Sequence, residues 1–213
     1  MVAACRSGKS RAAEALVYLS GDARPLVLIV VPTVAIAAEF LNRVQFGTLV
    51  YSKQLLGECA SIEAIEARLH KSNDPTTVVV TVESLFKVTS LDVDRRGHKR
   101  RVSDDDESKV STLEPSRLLS AVEKNASRLK AVVIDEVHIL LEADLGYRPA
   151  YWWLVDRLRG SVSSDLSCTP VLGMTATLSS AGEQMLCDVF GISRADRYGP
   201  PLLQLPDVSI VAV

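Results

Sequence analysis

Short apolar runs alternate with segments of helical periodicity along most of this chain. The runs Leu26–Val31, Thr76–Val82, Ala131–Ile134 and Val171–Met174 are continuous and rich in branched residues. That is the pattern of parallel strands covered on both faces. A weaker strand is expected at Thr48–Tyr51, and a final one at Val208–Val213. Between the runs, Ser10–Leu19 is alanine-rich with Leu16 and Leu19 on its apolar side, and Gly21-Asp22 stops it. Pro32 ends the first run, and Thr33 is suited to cap a helix through Phe40. Ser61–Leu69 places Ile62, Ile65 and Leu69 on one side of a helix. Asn73-Asp74-Pro75 then turns the chain into the second run. Further helices are expected at Arg117–Leu129, Pro149–Leu158 and Ser180–Phe190, the last closed by Gly191. Strands alternating with helices in this order predict an α/β fold with a mostly parallel sheet and helices on both faces.

One stretch breaks the pattern. From 88 to 115 a basic block, Arg95–Arg101, is followed at once by Asp104-Asp105-Asp106-Glu107. Opposed charge blocks without apolar periodicity describe a solvated loop or insertion.

Composition narrows the class. With 213 residues, 47% of them hydrophobic and 23% charged, the chain suits one well-buried domain rather than disorder or two domains. The net charge of -2 gives no global basic field, so a nucleic-acid contact would have to be local. The four cysteines stand far apart, without the paired spacing that zinc requires. A reduced intracellular protein is the expectation. No apolar run is long enough to span a membrane, and no membrane partner is expected.

Two segments carry candidate chemistry, and a third supports them. Residues Ala3 to Ser10 fit the spacing of a phosphate loop, ending in Ser7-Gly8-Lys9-Ser10. Backbone amides there can wrap phosphate, Lys9 can reach the outer phosphates, and the Ser10 hydroxyl can help hold magnesium. Arg6 stands where such loops often take glycine. The plain alternative is a surface lysine at a helix start. The run ending in Asp135-Glu136 would place two carboxylates at the C-terminal edge of the sheet, where open sheets bind ligands. Asp135 would hold Mg2+ through its waters and Glu136 would polarise an attacking water. The plain alternative is an acidic pair beginning a helix. His138 lies two residues on, within reach of the hydroxyls of Thr175 and Thr177, which flank Ala176 at the end of another run.

In this order, the phosphate loop, the Asp135-Glu136-Val137-His138 box and Thr175-Ala176-Thr177 resemble the first motor domain of superfamily 2 helicases. Val31-Pro32-Thr33 resembles that family's strand-backbone contact segment, and Val80–Leu85 the strand and turn that follow it. Within the superfamily, Leu145–Tyr151, then Pro170–Thr177, then Phe190-Gly191-Ile192 resemble RecQ-type helicases, closest to divergent fungal RecQ-like proteins. Val137 replaces the usual alanine or cysteine of the box, as in Ski2-like helicases. The family's aromatic-rich loop is matched only at its end, by Tyr147 and Arg148.

The resemblance implies a P-loop NTPase (RecA-like) domain over residues 1–213, N-terminally truncated, with the insertion at 88–115. ATP and Mg2+ are the implied cofactors. Lys9, Asp135, Glu136 and His138 are the implied catalytic set, Ser7, Gly8, Lys9, Ser10 and Asp135 the nucleotide and metal set. His138, Thr175, Ala176 and Thr177 are implied in coupling, and Pro32, Thr33, Tyr147 and Arg148 in nucleic-acid binding. The implied partners are single-stranded or partly duplex DNA and a second RecA-like lobe expected to be absent from this chain. The activity would be ATP-driven 3'→5' translocation on DNA in a full-length enzyme with a nuclear location, and an isolated lobe is expected to be weak or inactive. The alternatives are a truncated or inactive helicase remnant acting as a nucleic-acid-binding or interaction module, a Ski2-like lobe, or another one-domain P-loop ATPase. A GTPase would need an Asn-Lys-x-Asp segment, which the chain lacks.

Overall fold

The period-2 alternation of the apolar strands divides the interior into two cores, one on each face of a parallel sheet. The structure is a computed structural model that describes residues 16, 24–41, 48–52, 60–71, 74–90, 111–143, 148–160, 164–176 and 178–191. The five sheet strands are β1 (Leu26–Val31), β2 (Thr48–Tyr51), β3 (Thr76–Thr81), β6 (Leu129–Asp135) and β7 (Val171–Met174). Their order is β2-β3-β1-β6-β7, and all four pairings are parallel. The α/β architecture expected from the sequence is therefore present.

Leu28, Val30, Val78, Val80, Val132 and Ile134 face one core. It is closed by α2 (Ile62–Lys71), α3 (Arg117–Glu123) and α5 (Ala150–Leu158), which contribute Ile65, Leu119 and Leu154 among others. Val27, Ile29, Val31, Val79 and Val133 face the other core, against Ala37 and Phe40 of α1 (Val34–Leu41). Leu16, itself helical, packs on this second face. Every residue of β1 and β3 is buried, which explains why their sequences read as uninterrupted apolar or threonine-containing runs.

Helix ends follow local chemistry. Thr33 Oγ1 accepts from Ile36 N at 3.3 Å, and Ser61 Oγ from Ala64 N at 3.1 Å. Ser116 and Ser179 cap α3 and α6 (Ser180–Phe190) in the same way. Gly191 closes α6 at φ 66°, donating its N–H to the Cys187 carbonyl. The Arg128 guanidinium donates to the carbonyls of Arg24 and Leu69, tying the approach to β1 and the end of α2 to the start of β6.

Two expectations change. The ends of the 88–115 segment are not loop: β4 (Phe86–Ser90) and β5 (Ser111–Pro115) pair antiparallel, Val88 opposite Leu113. Leu113 packs against the first core, and that contact, invisible among charged neighbours in sequence, favours the ladder. Helix α3 also stops at Glu123. The Asn125 side chain donates to the Ala121 carbonyl at 2.9 Å, a 3-10 turn covers Ala126–Arg128, and β6 starts at Leu129, which pairs with Leu26. The phosphate loop, the charged blocks at 95–107 and the strand expected at 208–213 lie outside the described residues.

Candidate functional site

Parallel strands deliver their C-terminal ends to one edge, and four segments singled out in the sequence meet there. Pro32 and Thr33 follow β1, Thr81–Leu85 ends β3 and turns away, Asp135 and Glu136 end β6, and Thr175 and Ala176 follow β7. Register keeps the last two level. Asp135 pairs with Met174, and Val137 N donates to the Met174 carbonyl at 2.9 Å.

Asp135 is buried to 7% exposure, and its Oδ1 accepts from the Glu136 N–H at 3.0 Å. Glu136 itself has φ 48°, a left-handed conformation that costs a non-glycine residue about 1–3 kcal/mol. The short helix α4 (Ile139–Glu142) begins after this kink. The kink leaves the Glu136 carboxylate partly open to solvent, its side chain 29% exposed.

His138 bridges the two strand ends. Its Nδ1 lies 2.9 Å from Thr175 Oγ1 and 3.3 Å from Glu136 Oε2. Beside an ionised Glu136, the tautomer with the proton on Nδ1 is favoured, because that N–H faces two oxygen acceptors. The sequence expectation that His138 can reach Thr175 is matched by this geometry. Thr177 lies outside the described residues, and Ala176 is buried beside the bridge.

Of the residues expected to meet a nucleic-acid strand, Pro32 is buried and Thr33 is exposed, with its hydroxyl engaged in capping α1. Arg148 is part-buried at φ 53°, its Nε 3.8 Å from Glu83 Oε1. Tyr147 lies outside the described residues, as do Ser7, Gly8, Lys9 and Ser10.

Sequence reading missed three features. Thr81 Oγ1 and Ser84 Oγ form a buried hydrogen bond of 2.7 Å that fixes the turn after β3. Trp152 Nε1 donates to the Ala143 carbonyl at 2.7 Å, so α5 holds the end of α4. Tyr151 is fully buried beneath the Glu83–Arg148 pair, where burial and the nearby negative charges push its phenol well above the ordinary range. An aromatic triplet at a helix start is the only sequence signal for the last two.

The arrangement offers a buried carboxylate and a more open one, side by side at a strand end, with a histidine connecting them to the neighbouring strand. Oxygen donors of this kind suit magnesium, which takes one or two carboxylates and keeps several waters. Among the described residues, no three His, Cys, Asp or Glu side chains gather as a closed protein-only metal cage. A separate cavity of about 330 Å³, lined by Leu158, Arg159, Ser167, Thr169, Val171 and Phe190, opens near the other end of β7.

The model of the family described as DEAD/DEAH box helicase matches residues 2–185. The chain belongs to that family. It is a superfamily 2 helicase motor domain, of a family that binds ATP through its phosphate loop, and residues 3–10 fall within the match. No curated protein matches the chain significantly. Among the described residues of this helicase domain, no helix is long and apolar enough to cross a membrane.

Proposed function

We propose that this helicase domain is the ATP-binding lobe of a RecQ-like, 3'→5' DNA helicase, acting with a second RecA-like lobe in a nuclear enzyme. The observation that carries the catalytic part is the His138 bridge, 2.9 Å from Thr175 and 3.3 Å from Glu136. A bond between the acidic box and the Thr-Ala-Thr segment is what coupling between nucleotide state and the outer surface requires. The RecQ-like assignment rests on the sequence text from Leu145 to Tyr151 and from Pro170 to Thr177.

In this reading Ser7, Gly8, Lys9 and Ser10 hold the phosphates, and Asp135, with Ser10, holds Mg2+. When bound, that ion neutralises charge on the phosphates. Glu136 orients the attacking water and accepts its proton at a carboxylate oxygen. Its backbone kink aims the side chain away from the strand, which suits that task better than a relaxed helix start would. His138 fixes the Glu136 carboxylate and reports its state to Thr175. Thr33, Tyr147 and Arg148 contact the strand backbone. Buried Pro32 supports the turn that presents Thr33.

The test is magnesium-dependent ATP binding and turnover, with and without single-stranded DNA, in the natural chain, Lys9→Ala and Glu136→Gln. The expected result is binding lost in Lys9→Ala and kept in Glu136→Gln. Turnover, where the chain alone or with a second lobe supports it, falls about 100-fold or more in Glu136→Gln. Binding that survives Lys9→Ala unchanged would overturn the assignment. Stimulation by RNA alone would overturn the DNA reading.

A further inference from the structure

The cavity at the far end of β7 has walls that the fold holds in place. One is the turn after α5, where Gly160 sits at φ 72° and a Cβ would stand 3.1 Å from Ser167 Cβ. The other is the segment 164–169. Ser164 Oγ donates to Glu123 Oε1 at 3.0 Å, and Arg157 Nη1 holds the same oxygen at 2.5 Å. Leu166 is fully buried, and its carbonyl accepts from Thr169 N at 2.9 Å. The space of about 330 Å³ between these walls is therefore preformed. It falls at the small end of ligand pockets, ~300–1,000 Å³.

Its lining is divided. Leu158, Val171 and Phe190 form an apolar side, Arg159, Ser167 and Thr169 a polar one, and no carboxylate is among them. Among the described residues, the Arg159 guanidinium and the Thr169 hydroxyl have no hydrogen-bond or ion-pair partner. Ser167 Oγ meets the Cys168 sulfur alone, at 4.0 Å. A guanidinium only donates, and each hydroxyl can donate once. Donors gathered beside an apolar wall, with no acceptor of their own, match an anion carried on an apolar body.

The cavity also lies at one end of two elements whose other ends hold the acidic box. β7 runs from Val171 to Met174, whose carbonyl accepts from Val137 N at 2.9 Å, and on to Thr175 against His138. α6 runs from Gly182, where a Cβ would stand 2.9 Å from Leu141 Cδ1 of α4, to Phe190 at the cavity. With a rise of about 3.3 Å per strand residue and about 1.5 Å per helix residue, each route is roughly 12–13 Å long.

We infer that this cavity is a regulatory site for a small molecule bearing one carboxylate or phosphate group on an aromatic or apolar body. Arg159, Ser167 and Thr169 hold the anion, and the body lies against Leu158, Val171 and Phe190. Occupancy fixes the start of β7 against the end of α6, and with them Thr175 and Leu141 beside the box. The regulatory half rests on the nucleotide reading of that box, whereas the anion site does not.

The test titrates the natural chain, Arg159→Gln and Arg159→Lys with naphthoate, naphthyl phosphate and the neutral naphthylmethanol, read by naphthyl fluorescence. At least one anion is expected to bind about tenfold or more tightly than the alcohol. That advantage is expected to vanish in Arg159→Gln and largely survive in Arg159→Lys, and the better anion tells a carboxylate ligand from a phosphate one. Urea midpoints of both variants are expected to match the natural chain, because Arg159 is exposed. Calorimetry then measures a non-hydrolysable ATP analogue with magnesium, with and without saturating probe. Its affinity is expected to change about fivefold or more in the natural chain and to stay unchanged by probe in Arg159→Gln. Equal binding of anions and alcohol, or anion binding unmoved by Arg159→Gln, overturns the site. Anion-selective binding that leaves the analogue's affinity unchanged overturns the regulatory role. A chain that binds the probe but no nucleotide overturns the nucleotide reading, and the regulatory role with it, while the anion site stands.

Discussion

The middle of the sheet and its C-terminal edge are built on opposite terms. In the middle, β1, β3 and β6 are buried on both faces and follow their sequence preferences. At the edge, where these strands and β7 end, polar Thr81, Asp135 and Thr175 are buried and Glu136 takes a left-handed φ, as does Arg148 farther along the chain. The first region supplies stability, and the second draws on it. Local rules broken together in one place, above a core that obeys them, are what the proposed hydrolytic site at this edge would require.

The contrast is sharpest where the two regions meet on β6. Ile134→Ala removes a fully buried side chain and is expected to cost about 2–5 kcal/mol, read as a lower urea midpoint. A loss under about 1 kcal/mol would show that the centre of the sheet is not the stabilising half. Gly173→Ala probes the boundary between the two. A Cβ there would stand 3.2 Å from Val137 Cγ1, so the box valine fills the space that glycine leaves on β7. The expected cost is about 1–3 kcal/mol, with most of it recovered by adding Val137→Ala. Additive losses in the double variant would show that the two do not pack as a unit. Glu136→Gly runs the other way. Glycine accepts φ 48° without strain, so stability is expected to rise by about 1 kcal/mol while ATP turnover is lost. A destabilised Glu136→Gly would remove the evidence that the edge stores strain.

Farther from the edge, the smallest effect tests an ordinary surface cluster. The Glu63 carboxyl is held below its usual range by its own backbone N–H and then by Arg117, and Glu66 chiefly by its hydrogen bond from Arg117. Because the folded values lie below the unfolded ones, this contribution is full above the unfolded glutamate range near about pH 4.3 and fades as pH falls through the folded values. Arg117→Gln is expected to lower the urea midpoint slightly at neutral pH, with the difference closing in acid. A difference that persists in acid would assign Arg117 a packing role instead.

The same division explains what could be read from sequence. Leu26–Val31 and Ala131–Ile134 announced themselves because two-sided burial demands apolar residues at every position. The neighbourhood of Asp135, His138 and Thr175 was legible too, since parallel strands must bring their C-terminal ends together. The backbone kink at Glu136, the Thr81–Ser84 bond and the burial of Tyr151 were not: the first two are local but follow from backbone turns that the apolar pattern does not encode, and the third depends on neighbours distant in sequence. The β4–β5 ladder was hidden for a related reason. Its pairing partners, Val88 and Leu113, stand on either side of charge blocks that dominate the local pattern.

The most direct measurement is a crystal structure of the chain with Mn2+ and a non-hydrolysable ATP analogue, with the metal located by its anomalous signal. The expected result is metal beside Asp135 at the end of β6, with the phosphates against Lys9 and Ser10 and the Glu136 carboxylate facing the terminal phosphate. Nucleotide bound elsewhere, or metal away from Asp135, would contradict the assignment of this edge as the hydrolytic site.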